Sequence, residues 1–163
     1  MDNAKKPFID GEIVGVRVRP LQRHQDKRGW LCEVFRADEL DATDYPSMGY
    51  VSLSHPGVVR GPHEHREQAD FFVFMGPGHF KLWLWDNRAG SSSFWVRQTV
   101  VGGESHPLSV LVPPGVVHAY CNISAQDAFV LNFPNRLFAG KHKKEPVDEI
   151  RHEDDVRTLF ALN

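Results

Sequence analysis

What most limits the folds open to this chain is the way its apolar residues are parcelled. They come in short runs, each closed by a turn former. The runs are EIVGVRV (12–18), GWLCEVF (29–35), MGYVSLS (48–54), DFFVFM (70–75) and HFKLWLW (79–85). SFWVRQTVV (93–101), LSVLV (108–112), VVHAYCNI (116–123) and DAFVLNF (127–133) continue the series. Between them stand DKRG, HPG, GPG, DNRAGSSS, GGESHP, PPG and ISAQD, which supply glycine, proline, asparagine and aspartate where a chain must reverse. Runs of this length, with no helical period between them, predict an antiparallel sandwich or barrel. Eleven prolines and thirteen glycines spread along 163 residues work against long helices. In HFKLWLWD, Phe80, Leu82 and Leu84 share one face, and Lys81, Trp83 and Trp85 share the other. The inner set belongs to a packed interface; the tryptophans are expected to serve packing or face a cavity or partner.

The chain is long enough for one domain, with a barrel core over about 12–135 and a charged tail over 141–163 carrying a short helix near 153–161. A net charge of −2 gives no basic face for nucleic acid. No apolar run approaches the ~20 residues of a membrane span. The start, MDNAKKPFIDGEI, lacks the apolar core of a secretory signal. Cys32 and Cys121 lack zinc-ribbon spacing. The expected setting is cytoplasmic, with both thiols reduced.

The chemistry concentrates in GVVRGPHEHREQADFFVFMGPG (57–78). His63 and His65 are two apart, so on a strand their rings share a face. Two imidazoles placed so can reach one ion at ~2.0–2.1 Å. Asp70 opens the next apolar run after REQA, and a hairpin there would return it beside the histidines. VPPGVVHAYCN (112–122) offers a further ligand, His118, just after a proline–glycine turn. Six other histidines, His24, His55, His79, His106, His142 and His152, stand in polar or turn contexts. The expected ligand set is His63, His65, Asp70 and His118 around a divalent transition metal, namely Fe, Mn, Zn, Ni or Co.

These two stretches resemble the motifs of the cupin superfamily. The first, G-x5-H-x-H-x3,4-E-x6-G, is met by Gly57, His63, His65, Asp70 and Gly76, with aspartate for glutamate and the last glycine one place early. The second, G-x5-P-x-G-x2-H-x3-N, is met by Pro113, Gly115, His118 and Asn122, with Pro107 where the motif opens on glycine. The resemblance implies an all-β, double-stranded β-helix (jelly-roll) cupin barrel. A closer resemblance, over about 14–137, is carried by DKRGWLCEVFR (26–36), GVVRGPH (57–63) and LVPPGVVHAY (111–120). These are similar to the dTDP-4-dehydrorhamnose 3,5-epimerase family, a cupin branch. That likeness implies a homodimer sharing N-terminal strands and a nucleotide-sugar substrate. It assigns His63 the place of the proton-abstracting base, Arg60 a hold on the diphosphate, and Arg28 and Glu33 nucleotide contacts. His118 matches the histidine of P-x-G-x-x-H.

The chain also departs from that family. Glu64 and His65 replace an aromatic residue and glutamine, and Asp70 stands where the family has lysine. No tyrosine follows Tyr120, and FVLNFPNRLF offers only Asn132, Asn135 and Arg136 as polar candidates. Q-x-N-x-S reads Met48, Gly49, Tyr50, Val51, Ser52. One account joins these changes. Removing a proton beside a carbonyl makes an enolate, whose oxyanion needs positive charge. With the lysine gone, a divalent ion held through His65 and Asp70 would supply it. His63 is then either base or ligand, and Glu64, Glu67 or a bound hydroxide would serve as base in the second case. Tyr50 and Tyr120 are both candidate acids, with Tyr120 carried as the catalytic one. Arg136 joins Arg28, Glu33 and Arg60 as a substrate-binding candidate. The expected function is a metal-binding epimerase-like enzyme acting on a keto sugar by proton transfer. The alternatives are an iron-dependent dioxygenase and a non-catalytic module that binds a small ligand.

Overall fold

The computed structural model describes residues 8–162. Among them the strands run, in chain order, β1 (Ile9–Asp10), β2 (Arg17–Pro20), β3 (Arg23–Asp26), β4 (Gly29–Cys32), β5 (Tyr50–Ser54), β6 (Val59–Glu64) and β7 (Asp70–Phe74). They continue with β8 (His79–Asp86), β9 (Val96–Gly103), β10 (Leu108–Val112), β11 (Val116–Asn122), β12 (Ala128–Asn132) and β13 (Ile150–Arg151). One sheet has the order β1-β9-β8-β11-β6-β13, the other β2-β10-β7-β12-β5, and β3-β4 form a separate hairpin. Apart from β1, which joins β9 in parallel, the pairings are antiparallel. This is the jelly-roll cupin barrel, with helix limited to three single 3-10 turns among the described residues.

Side-chain alternation divides the apolar residues into three layers. Phe72, Phe74, Phe80, Leu82, Leu84, Val110, Val112, Val116, Tyr120 and Val130 fill the space between the sheets. Trp83, Trp85, Val117 and Ala119 point out of the six-stranded sheet and are covered by Phe160 and Leu162 of the tail and by Phe8. Phe71, Val73 and Leu111 point out of the five-stranded sheet and lie under Cys32, Val34, Phe35 and Leu40. The tryptophans therefore pack beneath the C-terminal tail rather than line a cavity. Both cysteines are free.

Two local expectations are corrected. No helix forms over 153–161; the segment is a series of turns that seats Phe160, at 7 % exposure, against Trp85 with ring centroids 5.8 Å apart. Burying a ring of that size is worth roughly 2–3 kcal/mol, more than a short polar helix gains from propensity. Nor does a hairpin return Asp70 to the histidines. β6 and β7 belong to different sheets, so REQA turns a corner between layers, and Asp70 meets the imidazoles across the barrel.

Candidate active site

β6 and β11 are neighbours, and His63 is in register with His118. Their rings therefore stand side by side, centroids 4.5 Å apart. His65 follows two residues on and keeps the inward face, 5.9 Å from each of the other rings. From the opposing sheet Asp70, at 2 % exposure, brings Oδ2 to 3.2 Å from His65 Nε2 and 3.1 Å from His118 Nε2. Its Oδ1 accepts hydrogen bonds from Gln68 Nε2 and Asn132 Nδ2, each at 2.9 Å. Burial opposes the charge of Asp70, but His118 and His65 outweigh it and hold the carboxyl well below its ordinary range.

The partners of the three Nδ1 atoms sort the histidines. His118 Nδ1 donates to the Val116 carbonyl at 3.1 Å, and His65 Nδ1 donates to the Asp148 carbonyl. That leaves Nε2 of both rings turned toward Asp70. Gln68 Nε2 also lies 3.2 Å from His65 Nε2. His118 Nε2 is buried and makes no hydrogen bond, although Asp70 Oδ2 lies 3.1 Å away. Two ring nitrogens and a carboxylate oxygen facing one another need positive charge among them. A proton supplies it in the metal-free protein: burial works against charge on His65, yet Asp70 pushes its pKa up to about 9. A divalent ion would supply it equally well. Donors 3.1–3.2 Å apart match two ligands on one ion at ~2.1 Å, and backbone carbonyls on Nδ1 are the usual outer partners of metal-binding imidazoles. The ligand atoms of His63, His65 and His118 all lie within 4.8 Å of one another. The side chains present therefore fit a cation.

His63 has different company. Its Nδ1 faces two carboxylates of the tail, Glu149 at 3.9 Å and Glu153 at 4.0 Å. Burial, then His118 and His65, push its pKa down to about 2, so the ring is neutral. The tail reaches this place because β13 pairs with the end of β6, Arg151 opposite His63. Asp148 fastens it: its carboxylate accepts the backbone N–H groups of Arg66, Glu67 and Gln68, each at 2.9 Å.

These groups open into a cavity of about 1230 Å³. Arg60 lines it, bound to Ser54 Oγ at 3.2 Å and the Leu53 carbonyl at 2.9 Å, with no carboxylate partner among the described residues. Arg136 lines it too, paired with Glu67 at 2.6 Å. Tyr120 reaches it with a hydroxyl 3.2 Å from Ser52 Oγ, and burial raises its pKa.

Three expected residues lie elsewhere. Glu64 sits between the two histidines in sequence and so points to the opposite face. There it is buried and accepts from Asn87 Nδ2 and pairs with His152 Nε2, both at 2.8 Å, which makes it a tail anchor rather than a base. Arg28 is exposed at the tip of the β3–β4 hairpin and pairs with Asp26 at 2.6 Å. Glu33 follows the hairpin and pairs with Arg36 at 3.4 Å. Neither lines the cavity of its own chain. Asn122 anchors a turn, donating to the carbonyls of Ser54 and Gln126 at 2.8 Å each. The carboxylates of Glu149 and Glu153, and Gln68 and Asp148, were absent from the expected set. The tail's acidic run was the only trace of its three carboxylates in the sequence.

Residues 10–154 match the family model described as dTDP-4-dehydrorhamnose 3,5-epimerase. A protein of Haloferax volcanii described as a probable low-salt glycan biosynthesis epimerase is 35 % identical over 127 residues, 77 % of this chain and 81 % of its own length. A spore coat polysaccharide biosynthesis protein of Bacillus subtilis is 35 % identical over 108 residues, 66 % of this chain and 70 % of its own. Among solved structures, a dTDP sugar isomerase from Desulfovibrio desulfuricans superposes with a TM-score of 0.78 at 18 % identity, covering 93 % of this chain and 91 % of the other. A 3,5-epimerase from Legionella pneumophila in complex with dTDP-4-keto-L-rhamnose gives 0.72 at 24 % identity, covering 88 % and 75 %.

Proposed function

The chain belongs to the dTDP-4-dehydrorhamnose 3,5-epimerase family, and from that premise we propose that it epimerises a nucleotide-linked keto sugar by removing and returning a proton beside the carbonyl. The observation that carries this reading is His63: a neutral imidazole in the cavity, with two carboxylates behind its Nδ1. A neutral ring can accept a proton, and the Glu149 and Glu153 carboxylates near its Nδ1 are placed to oppose the burial and the neighbouring imidazoles that disfavour the imidazolium. Arg60, free of any carboxylate among the described residues, is suited to the diphosphate. The dioxygenase alternative gains nothing from the family, and a cavity with an orientated base fits turnover better than simple binding.

A divalent ion is part of this proposal. His65, His118 and Asp70 would hold it, and His63 beside them stays available as the base. When bound, such an ion polarises the substrate carbonyl and stabilises the enolate. The chain is further proposed to act as a homodimer, since Arg28 and Glu33 can approach a cavity only from a second copy.

Incubation with dTDP-4-keto-L-rhamnose in D2O tests the reaction. Deuterium should enter at carbons flanking the ketone, and His63→Ala should lose at least ~100-fold of that rate. Absence of exchange in the wild type would defeat the proposal. Elemental analysis of the purified protein tests the ion: near-stoichiometric metal is expected, and His118→Ala should lose it. Protein that carries no metal and takes up none of Fe, Mn, Zn, Ni or Co at equilibrium would remove the ion from the scheme.

A further inference from the structure

Epimerisation needs a second proton carrier, because the carbon must be reprotonated from a group other than the one that stripped it. Asn132 reveals which hydroxyl is free to do this. Its Oδ1 accepts the backbone N–H of Phe71 at 3.0 Å, and its Nδ2 donates to Asp70 Oδ1 at 2.9 Å. These two bonds fix which end of the amide is oxygen and which is nitrogen. The same Nδ2 lies 2.9 Å from Tyr50 Oη. Tyr50 Oη must therefore be the acceptor there, and its own O–H has no acceptor among the described residues. Tyr50 lines the cavity that holds His63. Tyr120, the other tyrosine of the cavity, already shares its hydroxyl with Ser52 Oγ at 3.2 Å.

We infer that Tyr50 is the general acid that returns a proton to the sugar carbon, an inference that rests on the proton-transfer reading above. In the first half-reaction the base takes the proton, and the C–H electron pair becomes the C=C bond of the enolate. In the second, that pair takes the proton of the Tyr50 O–H, the carbonyl is restored and a phenolate remains. The Asn132 N–H already points at the phenolate oxygen and stabilises it, and solvent then returns the proton to the ring oxygen. Burial pushes Tyr50 up to about 12, so the proton is in place at neutral pH. Tyr50 as a whole residue is 45 % exposed, which makes removal of its hydroxyl a small perturbation of the fold.

The test separates proton removal from inversion. Wild type, Tyr50→Phe and Tyr120→Phe are incubated with dTDP-4-keto-L-rhamnose in D2O, and NMR follows deuterium entry and inversion at the same carbons. Tyr50→Phe should keep at least a tenth of the exchange while inversion falls ~100-fold, the scale of a lost general acid. Tyr120→Phe should hold the wild-type ratio of the two rates, and melting curves establish that both variants fold. If Tyr50→Phe retains the wild-type ratio, or loses both rates in parallel, Tyr50 is not the acid. If the wild type shows neither exchange nor inversion, the proton-transfer reading itself falls and this inference falls with it.

Discussion

Gly61 decides whether the histidines meet at all. It lies on β6 two residues before His63, where the ladder with β11 shifts register between His118 and Tyr120. Its φ of +89° is a conformation that side chains rarely adopt, and a Cβ there would stand 2.5 Å from the His118 carbonyl oxygen and 3.1 Å from Ala119 Cα. Both obstacles are backbone, so they yield only if β6 and β11 part. Gly61→Ala should therefore cost about 1–3 kcal/mol for the conformation alone, and more for the clash. Gly57→Ala is the matched comparison: φ is +73°, but nothing lies within 4 Å of its Cβ. Urea titrations should show the Gly61 variant losing clearly more stability than the Gly57 variant, and losing the proposed proton-exchange activity with it. Equal losses would mean that the close approach at Gly61 does not set the spacing of His63 and His118.

The loop joining β8 to β9 shows how one buried charge builds an element. Asp86 is fully buried at the end of β8. Its Oδ1 accepts from the Arg88 backbone N–H at 3.0 Å and from Nε at 2.8 Å; its Oδ2 accepts from Ser91 Oγ at 2.6 Å and Ser93 Oγ at 2.5 Å. Burial alone would raise its pKa, but Arg88 and the two serines bring it down from 3.8 to about 2. A folded-state pKa below the unfolded value adds stability that is present above pH ~4 and fades as pH falls through 2, here about 2 kcal/mol. Asp86→Asn should thus lower stability at neutral pH, and its deficit against wild type should shrink between pH 4 and pH 2. A deficit that stays constant over that range would contradict the assignment. Such an element was only half legible beforehand. The apolar alternation of HFKLWLW announces β8, while the loop's order depends on hydrogen bonds that no periodicity records. β6 is the sharper example. Its residues, Val-Arg-Gly-Pro-His-Glu, carry no apolar pattern, and it is a strand because β11 and β13 flank it. For the site, the convergence of His63, His65, Asp70 and His118 was readable because strand alternation puts His63 and His65 on one face and the proline–glycine turn before β11 marks His118. Glu149, Glu153 and Asp148 were not, since a two-residue strand far along the chain delivers them. Tyr50 was readable as a candidate, but its free proton emerges only from the bonds of Asn132.

At the scale of the molecule, the surface is unfinished around the β3–β4 hairpin and β5. Trp30 and Leu31 are 50 % and 63 % exposed on the hairpin, and Val51 and Leu53 are 59 % and 38 % exposed on β5. β5 is also the edge of its sheet, with one side of its backbone unpaired by any strand among the described residues. Exposed apolar edges of this kind recruit another chain. A second copy is the occupant that would complete the site, because Arg28 rides on this hairpin and lies outside its own cavity. Light scattering should give about twice the 18.5 kDa of one chain. A twofold dimer in which each hairpin serves the partner's cavity makes a stricter demand. In such a dimer Arg28→Ala would damage the site of the partner, whereas His63→Ala would damage its own. Each variant alone should be nearly inactive. Equal mixing, with time for subunits to exchange, should place one intact His63 opposite one intact Arg28 in half of the dimers, restoring about a quarter of wild-type sites. Mixed dimers that remain inactive, or a monomer at working concentrations, would show that the hairpin does not serve a neighbour's site.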